Sequence, residues 1–150
     1  RTVQSRTGLV VSSSGGLGRI LGAAYRVGAG ARLGRGDQWQ PWIALEDAAA
    51  GLLWAIEHDD VHGPVNLTAP EPARNRDLHR LLSRASGPPS IAVVPQLLLD
   101  RAGRAGAAGS VGGMLAELLG ASQRAVPQAL LASGFRFTAP DAASIWALGT

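Results

Sequence analysis

The sequence predicts an α/β or α+β fold rather than a helical bundle, because short β-branched runs alternate with stretches of helical periodicity. Two further observations agree. With 150 residues, 46% of them hydrophobic, the chain is long enough to bury a core of its own. Its first apolar run, Leu9-Val10-Val11 between Gly8 and Ser12, has the unbroken apolar character of a strand covered on both faces of a parallel sheet.

The elements come in order. After the strand at Gly8–Ser12, Leu17, Ile20, Leu21, Ala24 and Tyr25 repeat at helical spacing. Residues 28–36 are too glycine-rich for a core strand and read as an outward loop. Trp39 to Ile43 is extended, with Pro41 at its centre marking an edge or irregular strand. Residues 45–58 form the clearest helix: Glu46 and Asp47 in the first turn and His58 in the last complement its dipole, and Ala48, Leu52, Ala55 and Ile56 form its apolar face. Gly63 to Leu67 is a second strand, Asn75 caps a helix carrying Leu78, Leu81, Leu82 and Ala85, and Ile91 to Val94 is a third strand. Pro95 and Pro127 start helices, and Gly134 lies just past a helix end. Gly103 to Gly113 reads as a flexible loop, Phe135-Arg136-Phe137 alternates as a short strand, and Pro140 and Asp141 open a last helix through Ile145 and Trp146.

Composition removes whole classes of chemistry. There is no cysteine, hence no disulfide, thiolate nucleophile or cysteine-held metal. All 14 basic residues are arginine, so a Schiff base, a P-loop lysine and a Tyr-x-x-x-Lys pair are excluded within these residues. The formal charge is +3 and the arginines are dispersed, which argues against nucleic acid as a partner. The run Ala48 to Ile56 is far shorter than the roughly 20 apolar residues that cross a bilayer. A soluble, cytoplasmic protein with no membrane partner is expected. The start at Arg1, with no signal-like segment, reads as a cut inside a longer protein.

Few motifs survive scrutiny. Val10 to Arg19 runs from a strand into a glycine-rich helix start, as a dinucleotide-binding turn does. In the register that makes Gly16 and Gly18 the later glycines, however, Ser12 takes the first position, and no second strand ends in an acid about 20 residues on. A plain strand-to-helix connection is the expectation. His58 reads as a helix-terminal cation, His62 as a loop residue and His79 as solvent-facing, none placed for catalysis, and Asp59-Asp60 beside two histidines lacks the spacing that converges on a metal. Gln38, Trp39, Trp42, Glu46 and Asp47 gather before a helix start. There Trp42 either stacks on a sugar or base or packs in the core.

In this order, Arg6-Thr7-Gly8-Leu9-Val10-Val11-Ser12, Gly28-Ala29-Gly30, Leu33-Gly34-Arg35-Gly36-Asp37-Gln38-Trp39-Gln40-Pro41-Trp42-Ile43 and Glu46-Asp47 resemble the second half of an extended short-chain dehydrogenase/reductase. The narrower resemblance is to the NAD(P)-dependent, nucleotide-sugar-epimerase-like subgroup that ends in a small domain of unknown function. Gly63 to Pro72, Ser122 to Pro127 and Gly134 to Phe137 match it in order. The resemblance implies the C-terminal fragment of a Rossmann-like doubly wound fold, with residues 1–70 supplying its last strands and part of the substrate lobe and residues 71–150 a small α+β domain. It also implies that the cofactor glycine turn and the serine and tyrosine of the reaction centre lie upstream. NAD(P) then belongs to the intact parent, with none expected on this chain alone. The parent would exchange a hydride between nicotinamide and a substrate carbinol carbon.

On this reading the partners are a small-molecule substrate of the nucleotide-sugar kind and the missing N-terminal half of the same protein, with a homo-oligomer open. No residue here is assigned to catalysis or to a metal. The expected substrate-side residues are Arg6, Ser13, Gln38, Trp42 and Arg124, of which Arg6 and Arg124 serve equally well as surface ion pairs. Two positions depart from the subgroup: Ala44 stands where histidine is frequent, and Asp37 where arginine is frequent. The second puts an anion where a phosphate-binding cation would sit. Two alternatives stand beside the enzyme reading: a binding module without redox turnover, and a parent that binds NADP but has lost turnover.

Overall fold

The computed structural model describes residues 1–95, 97, 98, 101 and 120–148. Its described strands are β1 (Val3–Thr7), β2 (Leu9–Val11), β3 (Ala31–Leu33), β4 (Trp39–Gln40), β5 (Trp42–Ala44), β6 (Gly63–Leu67), β7 (Ala73–Arg74) and β8 (Ala92–Val94). The described helices are α1 (Gly16–Arg26), α2 (Leu45–Glu57), α3 (Asn75–Ala85), α4 (Gln128–Ala132) and α5 (Ala142–Leu148). The fold is mixed α/β with parallel strand pairs, as the alternation in the sequence leads one to expect. Contacts divide the chain into two compact units. One comprises Arg1–Ile20, Pro41–Ala73 and Arg124–Thr150, and the other Leu21–Gln40 and Arg74–Gln123.

In the first unit β1 runs parallel to β6, and β2 runs parallel to β5. The exchange of partners happens at Gly8, whose N–H donates to the Leu67 carbonyl before Leu9 N–H donates to that of Pro41, at 3.0 and 2.7 Å. Glycine is required there, since a Cβ would stand 2.1 Å from the Pro41 oxygen. The core gathers Ile43, Ala48, Ala55, Val61, Val65, Leu67, Leu130 and Phe135. Burying each of the larger of these side chains contributes about 1.5–3 kcal/mol. Gly51 lets α2 approach closely, because a Cβ there would meet Leu67 and Leu130 at 3.0 and 3.3 Å.

The helix expected over 45–58 forms as α2, but its buried face differs from the expected one. Asp47, Ala48, Gly51 and Ala55 face inward, while Leu52 and Ile56 are exposed. At Gly51 that face has no room for a side chain, because Leu67 of β6 and Leu130 of α4 stand against it. At its far end, Arg1 donates to the carbonyls of Ala55, Ile56, His58 and Val61, meeting acceptors that a helix terminus leaves open. His58 stacks on Trp54, with ring centroids 3.5 Å apart.

Pro41 interrupts the 39–43 segment as expected, and β5, which pairs with β2 alone among the described strands, is the edge strand expected there, although its side chains are buried. Three further expectations need correction. Residues 135–137 form no strand: Phe135 N–H is bonded to the Leu130 carbonyl, and the two phenyl rings pack edge to face with centroids 4.8 Å apart, Phe135 also resting on Trp54. In the second unit the glycine-rich stretch contains a strand after all, since β3 pairs in parallel with β8 from Ala31↔Ala92 to Leu33↔Val94. The glycines act at its exit, Gly34 and Gly36 both having positive φ. Asn75 begins α3 without capping it; its side-chain oxygen instead accepts the Leu33 N–H at 2.9 Å. The loop expected over Gly103–Gly113 lies outside the described residues.

Candidate functional site

Ligands of parallel sheets collect beyond the carboxyl ends of the strands, so the site is built from the segments leaving β2, β5 and β6. After Val11 the chain turns through three serines into α1. Ser12 and Ser14 hydroxyls share a hydrogen bond of 2.8 Å, and Ser14 N–H donates to Ser12 Oγ at 3.2 Å, leaving Ser13 exposed between them. Gly18 is the glycine that this turn needs. A Cβ there would stand 2.7 Å from the Ser12 oxygen and 2.9 Å from its nitrogen. Gly18 therefore lets the first turn of α1 seat against the end of β2.

Arg6 is exposed on β1 and pairs in register with Asn66 of β6. Asn66 Nδ2 donates to the Val126 carbonyl at 3.1 Å, tying to the sheet the segment that carries the exposed Arg124. Trp42 is buried, its ring edge-on to Trp146 of α5 at 5.8 Å between centroids. Its indole nitrogen has no hydrogen-bond partner, and the same holds for the hydroxyl of buried Thr68 just beyond β6.

Asp47 carries more of the local architecture than the sequence discloses. This carboxylate, only 1% exposed, accepts N–H bonds from Thr138 at 2.8 Å and Ala139 at 2.9 Å. In sequence it is one of two acids complementing a helix start; its neighbour Glu46 is exposed and fits that description. A signal is present, since an acid on the third helical residue beside the inward-facing Ala48 lies on the core side, but its partners are about 90 residues away in the chain.

The fifth expected residue, Gln38, belongs to the second unit and is half-buried. Its amide donates to the Leu33 carbonyl at 3.2 Å. In the same unit His79 is not the solvent-facing residue expected, for its Nδ1 lies 2.8 Å from the hydroxyl of Tyr25. Burial pushes that phenol up from 10.0 to about 12. Burial first, and then the nearby Arg32 charge, lowers the His79 pKa. Tyr25 is the one tyrosine of the chain, and it is shifted away from what a proton-abstracting phenolate requires. Among the described residues no group of three or more His, Asp or Glu is placed to hold a metal, and no helix is long and apolar enough to cross a membrane.

Comparison with known proteins adds to this picture. Residues 107–145 match a domain of unknown function, DUF1731. An epimerase family protein of Mycobacterium bovis is 39% identical over 137 residues, covering 91% of this chain and 43% of the relative. The epimerase family protein YfhF of Bacillus subtilis is 34% identical over 141 residues, covering 94% and 43%. Among solved structures, the human epimerase family protein SDR39U1 with NADPH superposes with a TM-score of 0.82 at 28% identity, over 97% of this chain and 47% of that one. A nucleoside-diphosphate sugar epimerase from Corynebacterium glutamicum superposes with a TM-score of 0.69 at 28% identity, over 99% and 26%. The chain thus spans less than half the length of the relatives it matches.

Proposed function

Because the chain corresponds to the C-terminal part of an epimerase-like short-chain dehydrogenase/reductase, we propose that it forms the substrate-side portion of an NAD(P)-dependent oxidoreductase acting on a nucleotide sugar, without turnover of its own. The observation that carries this reading is the coverage: similarity runs along 91% of this chain yet reaches only 43% of the Mycobacterium bovis relative. Most of such a protein's length, and with it the cofactor-binding turn, lies elsewhere.

The residues present do not fit a dinucleotide. Ser12 stands where the first glycine of a dinucleotide turn would be, and its hydroxyl is engaged with that of Ser14. The chain has no lysine to lower a tyrosine pKa, and Tyr25 is held on His79. NAD(P) is accordingly assigned to the remainder of the parent, and no reaction step is assigned to this chain. Its own part is recognition. Arg6, Ser13 and Arg124 offer exposed polar side chains to the substrate, the arginines to its anionic portion. Trp42, packed on Trp146, steadies β5 in the first unit, and Gln38, whose amide donates to the Leu33 carbonyl, steadies its own loop in the second.

A parent-length protein tests this. Arg6→Gln and Arg124→Gln should each raise KM for a nucleotide sugar several-fold while leaving NADPH affinity unchanged. Loss of NADPH affinity with KM unchanged would assign these residues to the cofactor and overturn the proposal.

A further inference from the structure

In the second unit, Asp37 is the hub of a cluster of guanidinium groups. Arg35 Nε lies 3.2 Å from one of its oxygens, Arg74 Nη1 lies 3.7 Å from the other, and Arg76 donates to that second oxygen as well. Backbone geometry brings them together. Gly36 has a φ of 74°, and a Cβ there would stand 2.7 Å from the Arg76 Cβ and 3.0 Å from Arg32 Cδ, so only glycine lets the loop close on the start of α3. Arg76 N–H donates to the Gly36 carbonyl and Asn75 N–H to that of Gln38, at 2.9 and 3.0 Å. Loop carbonyls thus occupy the first amides of the helix, and the positive character of the place comes from its side chains. The Arg74 guanidinium carbon stands 4.6 Å from the centre of the Trp39 ring, which orients it without cancelling its charge. Arg32, beside Gly36, adds a buried Nε with no hydrogen-bond partner.

The charges do not balance. Among the described residues the cluster holds one further acid, Asp77, which lies 3.9 Å from Arg76 and 3.5 Å from Arg80. Arg35, Arg74, Arg76 and Arg80 therefore share two carboxylates, a surplus of two positive charges among the described residues. Ion pairing for stability alone is served by one partner per charge. Several planar donors converging on one carboxylate keep N–H groups in excess of its lone pairs, and that is the arrangement that takes up a multivalent oxyanion.

We propose that the Arg35–Asp37–Arg74–Arg76 cluster is a phosphoryl-binding subsite, with Asp37 holding the guanidinium groups together until a phosphate or diphosphate oxyanion of a nucleotide adds to them. The anion at position 37, which taken alone weakens the case for a phosphorylated ligand, becomes the organiser of the cations that receive one. The assignment of that phosphate to a nucleotide sugar rests on the function proposed above; the existence of the subsite does not.

The test uses the 150-residue chain alone, with inorganic pyrophosphate titrated at fixed ionic strength and followed by thermal shift and calorimetry. Saturable stabilisation is expected, with affinity reduced about tenfold or more in Arg74→Gln/Arg76→Gln. Arg35 is 91% exposed, so Arg35→Gln leaves folding intact and should still weaken binding several-fold. Stronger competition by UDP than by adenosine 2′-monophosphate would identify the group as the diphosphate of a substrate, and the reverse order as the phosphomonoester of a dinucleotide. Absence of a saturable response, or pyrophosphate affinity unchanged in folded Arg35→Gln and Arg74→Gln/Arg76→Gln, would overturn the proposal. Because no cofactor enters the experiment, this outcome is independent of where NADPH binds.

Discussion

Replacing Asp47 with alanine strips two N–H groups of their acceptor at once, and the two losses are unequal. Ala139 is fully buried, so its amide would be left without water or partner, a cost of about 2–3 kcal/mol. Thr138 is exposed and its amide can be rehydrated, which limits that loss to about 1 kcal/mol. Removing a negative charge from the first turn of α2 costs a further ~0.5 kcal/mol. Together the substitution should destabilise the protein by about 4 kcal/mol, against a total stability of roughly 5–15 kcal/mol for a domain. Asp47→Asn keeps a carbonyl oxygen for one amide and should cost about half as much. Urea denaturation followed by circular dichroism measures both. A loss below about 1 kcal/mol for Asp47→Ala would show that the 138–139 segment is held by something other than this carboxylate, and the description of the first unit would have to change.

The turn after β2 gives a paired prediction: Gly18→Ala should cost about 1–3 kcal/mol because its methyl would strike the Ser12 backbone, whereas Gly15→Ala, with nothing within 4 Å, should be close to neutral in the same denaturation assay. The Tyr25–His79 pair should shape the stability profile at both ends of the pH scale. As pH rises past 10.0 the unfolded phenol ionises before the folded one, so stability should fall between 10.0 and about 12, and Tyr25→Phe should flatten that limb of a melting-temperature profile. As pH falls below 6.5 the unfolded chain binds the His79 proton more readily than the folded one, so stability should drop there too, and His79→Gln should flatten the acid limb.

How far the sequence discloses this molecule depends on the range of the interaction involved. Elements defined by their own periodicity or punctuation are legible: α2 ends within a residue of its expected bounds, β6 lies at Gly63–Leu67, and Pro41 breaks the segment between β4 and β5. The rest is decided by distant partners. The 31–33 segment becomes a strand because Ala92–Val94 lies beside it, a pairing that outweighs its glycine-rich surroundings. Alternating Phe135 and Phe137 suggest a strand, yet the Phe135 N–H donates to the Leu130 carbonyl of α4, so the segment begins as a helix exit instead of joining a ladder. Apolar size is a poor guide to the inward face of α2, since Leu67 and Leu130 stand where a side chain on Gly51 would go. In the candidate site, chain order suffices to place Arg6 and Ser13 beside the first strand, but the convergence of Arg35, Arg74 and Arg76 on Asp37 joins residues about 40 apart and has no local signature.

Calorimetric titration of NADPH into two proteins, the 150-residue chain and the same chain extended upstream to the length of its relatives, bears most directly on the central claim that the grip on the dinucleotide lies outside these residues. The extended protein should bind with a measurable, saturable heat and the short one should give none. Tight, stoichiometric binding by the short chain, abolished by a bulky substitution at Gly16 or Gly18, would contradict it.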